Sequence, residues 1–324
     1  MTHSPTLLAR ICAPIALIGA LTLTTLALVS SMSPASVIRA GVAKRACRIF
    51  PVSNSINRDI SHAPLDPSSA RYIASIGATG RLHPDFGSNP SYGIPYAVAG
   101  ARQPKVPIRF TAYGGESDPG PYPIPPGAPV EGNPGPSDHG GDRHVLVLQL
   151  SSCKLYELYD AHRAGAGWEA GSGAVFNLRS NALRPDGWTS ADAAGLPIFP
   201  LLVRYDEVRA GRITHALRMT VQRTQQGFIH PATHYASSNT DPRLPPMGLR
   251  LRLKASFDTS GYHGEALVVL TALKRYGLIV ADNGSNWFIT GAPDRRWRDE
   301  DLDQLKTVPG SAFEAVRTGR VLHG

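Results

Sequence analysis

The chain has 324 residues, of which 42% are apolar and 18% charged, with 32 glycines and 28 prolines. This composition excludes a charge-expanded disordered chain and a protein of long helices, and it favours a turn-rich globular fold. The net charge is +8, but Lys and Arg are scattered, with no run longer than a pair such as Arg295-Arg296. That pattern is not a nucleic-acid footprint, which would be clustered and accompanied by a recognition motif. The excess would suit an acidic polysaccharide or an anionic surface by long-range attraction, and a plain soluble surface equally well.

Arg10 precedes an uncharged apolar run from Ile11 to Val29, followed by the small residues Ser30 to Ser36. The order of charge, apolar run and small-x-small site at Ser33-Pro34-Ala35 predicts a secretory signal over 1–35. A short linker over 36–46 follows. An uncleaved membrane anchor is the rival reading, against which Pro14 and several polar residues weigh. Either way the rest of the chain is expected to leave the cytoplasm, with the membrane touched only through this segment. Cys12 falls inside the signal, where Arg10 spoils any lipobox. The two remaining cysteines, Cys47 and Cys153, are expected to form one disulfide in an oxidising compartment. Two unrelated thiols are the alternative. No CxxC pair is present to suggest zinc.

Residues 47–319 read as a single globular domain, with a tail over 320–324. Asp66 as N-cap, Pro67 at N1 and Gly77 at C′ predict a short helix. Residues 114 to 141 hold eight Gly and eight Pro, a density that rules out helix or central strand. The segment is a linker or an ordered loop; Tyr122, Ile124 and Val130 favour a loop that packs on the surface. His144–Leu150 and Cys153–Tyr159 predict a hairpin whose first strand is apolar on both faces and therefore central. Gly173–Leu178 is a further strand, and Tyr205–Ala210, closed by Gly211, one turn of helix.

In Arg212–Gln222, His215, Leu217, Met219 and Val221 share one parity and Arg218, Thr220 and Gln222 the other. As a strand this points His215 inward and Arg218 outward. Leu249, Leu251 and Leu253 alternate in the same way with Arg250, Arg252 and Lys254. Glu265–Tyr276 is the strongest helix, with Leu267, Leu270, Leu273 and Tyr276 on its inner face and Gly277 as its stop. Leu278–Ala281, Asn283-Gly284 and Trp287–Ile289 predict a hairpin. A last helix is expected from an N-cap at Asp299 to Leu305.

GxSxG, HExxH, P-loop and Rossmann patterns are all absent. The candidate catalytic residues are His215, Glu207 and Asp282. A core-facing histidine and a strand-end carboxylate in one pocket could perform acid–base work, and two carboxylates roughly 5 to 10 Å apart could cleave a glycosidic bond. The bland alternatives are a turn residue for Asp282 and a surface charge for Glu207. Trp188, Trp287, His230 and His234 are candidate substrate contacts. His230 and His234 share a strand face about 13 Å apart, too far to hold one metal. No metal or cofactor is predicted.

Five phrases occur together here: Phe50–Ser61, Gly187–Pro197, His215–Arg218, His230–His234 and Ala281–Trp287. Together they resemble a widespread group of uncharacterised secreted bacterial proteins over about residues 47 to 316. The resemblance implies export and one continuous domain and supplies no activity. The expected fold is α+β, mainly antiparallel sheet, with a sandwich-like arrangement as one option, and a few short helices. The expected function is a polysaccharide hydrolase or lyase with a His/carboxylate site. A non-catalytic glycan-binding or cell-surface module is the alternative.

Overall fold

The computed structural model describes residues 47–135 and 140–323, so the signal and linker expectations lie outside the described residues. No helix among the described residues is long and apolar enough to cross a membrane.

Among the described residues thirteen short strands form three sheets. The largest runs β1 (His83–Asp85), β12 (Phe288–Thr290), β9 (Leu217–Val221), β11 (Leu278–Asn283), β10 (Arg250–Leu253), β13 (Phe313–Val316). The second runs β2 (Tyr96–Ala99), β4 (Val145–Gln149), β5 (Lys154–Tyr159), β8 (Ser172–Asn177), and the third β3 (Ile108–Phe110), β7 (Gly167–Ala170), β6 (His162–Ala164). The described residues also form four α-helices: α1 (Ser69–Ile76), α2 (Tyr205–Arg209), α3 (Gly264–Arg275) and α4 (Asp299–Asp303). The fold is thus α+β and dominated by sheet. Antiparallel pairings prevail, but every sheet is mixed: β1–β12, β9–β11, β2–β4 and β3–β7 are parallel.

The β4–β5 hairpin is antiparallel, as expected, and β4 is an interior strand buried along its whole length. The two faces of β4 serve different cores. Leu146 and Leu148 join the main core, while Val145 and Val147 join a second cluster with Tyr122, Ile124 and Ala128. The described part of the Pro/Gly-rich segment is therefore an ordered loop with its own apolar anchors, and covering a sheet face is what those anchors do. Cys47 and Cys153 form the expected disulfide, with Cα atoms 5.4 Å apart.

Several local expectations need correction. Helix α1 begins at Ser69, because the Asp66 carboxylate accepts from the Ser68 N–H in a turn ahead of the helix. Helix α3 buries Ala266, Val269, Leu270, Ala272 and Leu273, whereas Leu267 is exposed, so its inner face is rotated from the leucine row. Helix α4 is preceded by Arg298; Asp299 turns aside to accept from the Ser88 N–H and hydroxyl. Arg250 is buried, not outward, and donates to the carbonyls of Ser55 and Tyr276.

The largest correction concerns Asn283-Gly284. β11 and β12 do not pair as a hairpin: β9 lies between them, parallel to β11 and antiparallel to β12. The connection crosses the end of β9, where the Gly284 N–H donates to the Val221 carbonyl and a Cβ on Gly284 would meet the Thr220 side chain at 3.1 Å. Glycine is needed there for close passage over a third strand rather than for a tight turn between two.

Candidate functional site

Strand β9 begins only at Leu217, so His215 sits in the loop ahead of it rather than in the strand expected over 212–222. Its ring is buried, as the parity suggested. Nδ1 donates to the Ala216 carbonyl at 2.7 Å, and Nε2 meets Glu207 Oε2 at 3.0 Å. Glu207 also accepts from Arg204 at 2.6 Å. Burial alone would raise the Glu207 carboxyl, but the Arg204 and His215 charges outweigh it and hold the group at about 2. A carboxylate pinned this low is a poor proton carrier at neutral pH, so this trio reads as an ion-paired support.

Asp282 stands elsewhere. It lines a cleft of about 160 Å³ together with Tyr113, Asp142, Tyr159, His234 and the 189–193 segment, whereas His215 and Glu207 line a separate cleft with Arg204 and Arg212. The expected convergence of His215 with Asp282 does not occur. His234, assigned to substrate contact by the sequence, is the histidine that shares the Asp282 cleft.

The backbone explains how Asp282 reaches that cleft. β11 pairs with β9 as Val280↔Met219 and then Asp282↔Thr220, leaving Ala281 as an extra residue. Without this bulge Asp282 would follow Leu278 and Val280, both fully buried. The bulge takes it off that alternation, and the Ala281 carbonyl accepts from the Ala194 N–H.

Behind Asp282 lies a buried charge relay. Arg218 donates twice to Asp192, at 3.0 and 2.8 Å, once to Asp282 at 2.9 Å and once to Thr290 Oγ1 at 2.9 Å. Asp192 is fully buried. The turn that carries it is built from hydroxyls: the Asp192 N–H donates to Ser190 Oγ, and the Asp192 carbonyl accepts from Ser190 Oγ. Gly195 closes the turn with φ +71, and a Cβ there would collide with Thr233 and the Trp188 carbonyl. Ser190, Thr189 and Ser172 all donate their hydroxyls to backbone carbonyls. They are structural and not activated nucleophiles.

Burial pushes the Asp282 carboxyl up, and the Asp192 charge adds to this. The Arg218, His144 and Asn283 N–H contributions offset only part of it, leaving the group at about 7. His144 is buried, with Nδ1 on Glu131 and Nε2 on the Ala191 carbonyl at 2.8 Å. Burial opposes a charge there, but Glu131 outweighs it and raises the ring to about 9. Both nitrogens face acceptors, so the ring is an imidazolium. Glu131, Asp142 and His144 place one ligand atom each within 4.8 Å of one another, which makes them the described group able to hold a metal. The imidazolium–carboxylate pair accounts for that arrangement without one.

His234 donates Nδ1–H to the Ala193 carbonyl at 2.7 Å, which places a proton on Nδ1 and leaves Nε2 as the nitrogen facing the cleft chemistry. No protein-family model matches the chain, and no curated protein or solved structure matches it either. The site therefore stands on its geometry.

The remaining candidates disperse. Trp287 is fully buried, with its indole N–H on the Gly77 carbonyl at 2.8 Å, so it is core and not a sugar platform. Trp188 is half-buried under the Arg184 guanidinium. His230 is exposed and pairs with Asp186 at 2.8 Å. Arg218, His144 and Asp142 carried no sequence signal as site residues, and Asp192 only that of the polar segment Trp188 to Asp192. The other hint was Arg218 and Asp192 in two of the phrases shared with the secreted group.

Proposed function

We propose that the Asp282 cleft is an acid–base site for cleaving a polysaccharide outside the cytoplasm. The observation that carries this reading is a largely buried carboxyl, raised by that burial, and a histidine with Nδ1 held by the Ala193 carbonyl, both lining one cleft. Near pH 7 Asp282 can supply a proton to a leaving glycosidic oxygen, and His234, with Nδ1 committed to a carbonyl, presents Nε2 to take one. Arg218 and Asp192 orient Asp282 from behind; they do not touch solvent enough to meet a substrate. Asp192 is sealed and ion-paired, so it cannot act as the second carboxylate of a glycosidase pair. The Cys47–Cys153 disulfide supports an oxidising compartment.

The test is product release from a polysaccharide panel by the 36–324 protein, compared with Asp282→Asn and His234→Ala. Loss of product in both folded variants supports the reading. Product retained in both refutes it. Binding with no product from the parent protein would transfer the assignment to a glycan-binding module.

A further inference from the structure

The +8 net charge suggests an anionic ligand, but the Asp282 cleft has the opposite character. Among the described residues that line it there is no lysine and no arginine; its acidic groups are the carboxyls of Asp142 and Asp282, beside His234. The basic excess is spread over other surfaces. Asp142 is exposed at this cleft, and its carboxylate, which lies within 4.8 Å of the His144 ring and the Glu131 carboxylate, is the part of that group a ligand can reach. Tyr113 is 46% exposed and Tyr159 half-buried, so both offer aromatic surface at the cleft.

From this juxtaposition we propose that the cleft takes an amine-bearing sugar polymer, such as a deacetylated hexosamine chain, with Asp142 as the residue that receives the ammonium. Resting on the acid–base reading of the same cleft, it names the substrate class and narrows the reaction. A carboxylate facing an ammonium in a partly desolvated cleft gains affinity over a neutral sugar, and a tyrosine face adds attraction for the cation. A uronate would instead meet two carboxyls. Cleavage by elimination needs a sugar carboxylate that the protein neutralises, and among the described residues that line this cleft there is no lysine or arginine to do so, while Arg218 behind it is already committed to Asp192 and Asp282. The reaction that fits is hydrolysis. The water oxygen bonds to the anomeric carbon as the carbon–oxygen bond to the leaving sugar breaks. His234 takes the water proton, Asp282 gives its proton to the leaving oxygen, and solvent exchange then restores both groups.

Calorimetric titration with three oligosaccharides of equal length tests this: amine-bearing, N-acetylated and uronate. The amine-bearing chain is expected to bind at least about tenfold tighter than the N-acetylated one, with the preference shrinking at high salt. Asp142→Asn should erase the preference, bringing the amine-bearing and N-acetylated affinities to within about twofold of each other; the residue is exposed, so the fold should persist. Equal affinity for amine and acetyl forms, tightest binding of the uronate, or an unchanged preference in Asp142→Asn would overturn the proposal. The two readings separate cleanly. Charge-selective binding without product from the parent protein rejects acid–base cleavage and keeps the ligand class. Product without charge selectivity does the reverse.

Discussion

Replacing Arg218 with methionine tests the buried relay most severely. The guanidinium is 4% exposed as a residue and donates to Asp192, Asp282 and Thr290. Methionine fills much of the same volume, so packing changes little. Asp192, with no exposed surface, would be left in the core without the partner that compensates it. Breaking a buried pair by removing one partner costs about 3–5 kcal/mol. In a domain of this size each kcal/mol moves Tm by about 2–4 °C, so the expected drop is roughly 6 to 20 °C. The change also removes the cation that favours ionised Asp282, whose carboxyl should move further up from about 7. Thermal unfolding at pH 8, with urea unfolding as a second measure, reads the stability. The double variant Arg218→Met/Asp192→Leu should recover most of the loss, because the stranded charge goes with its partner. A Tm unchanged within 2 °C in the single variant, or no recovery in the double, would refute the buried-charge argument.

Other outcomes follow from the same energetics. Asp282→Asn should stabilise the protein at pH 8 by on the order of 1–3 kcal/mol, and hardly at all at pH 4. A raised acid binds its proton in the native state while the unfolded chain has lost it, so its ionisation erodes stability as pH rises from about 4 to about 7. Urea midpoints at the two pH values check this. Glu207 is the opposite case: its depressed carboxyl contributes stability above its unfolded value and loses it as pH falls towards about 2. His215→Ala should therefore weaken acid resistance yet leave product release at the Asp282 cleft within about twofold, measured by paired melts and activity assays. Cys47→Ser with Cys153→Ser should cost about 2–5 kcal/mol in urea unfolding under oxidising conditions. Trp287→Ala should cost about 3–5 kcal/mol, with oligosaccharide affinity unchanged wherever the variant stays folded.

What was legible in the sequence is local. Alternation and turn residues found β4, β5, β8 and β10, and the apolar anchors of the Pro/Gly segment marked an ordered loop. The cysteine pair followed from compartment chemistry. Pairing between distant strands was not legible. Asn283-Gly284 carries hairpin chemistry, yet the free energy of seating β9 between β11 and β12 overrides it, and nothing within ten residues signals that. Polarity misled at Arg218 and Arg250, because an arginine in a strand reads as outward until its buried partner is known. Asp192 sits 26 residues before Arg218 and 90 before Asp282, so only the fold assembles the relay. His215 was read correctly as buried and wrongly as catalytic. Its ring nitrogens are committed to Ala216 and Glu207, whereas His234, in a segment without regular structure, keeps one free among the described residues.

The central claim is that Asp282 holds its proton near neutrality inside the cleft. Carbon-detected NMR titration of the aspartate carboxyls, with Asp282→Asn used to assign the resonance, measures that directly. A midpoint near 7 is the expected result. A midpoint near 4, the value of an ordinary solvated aspartate, would leave Asp282 ionised at working pH and remove the acid from the proposed mechanism.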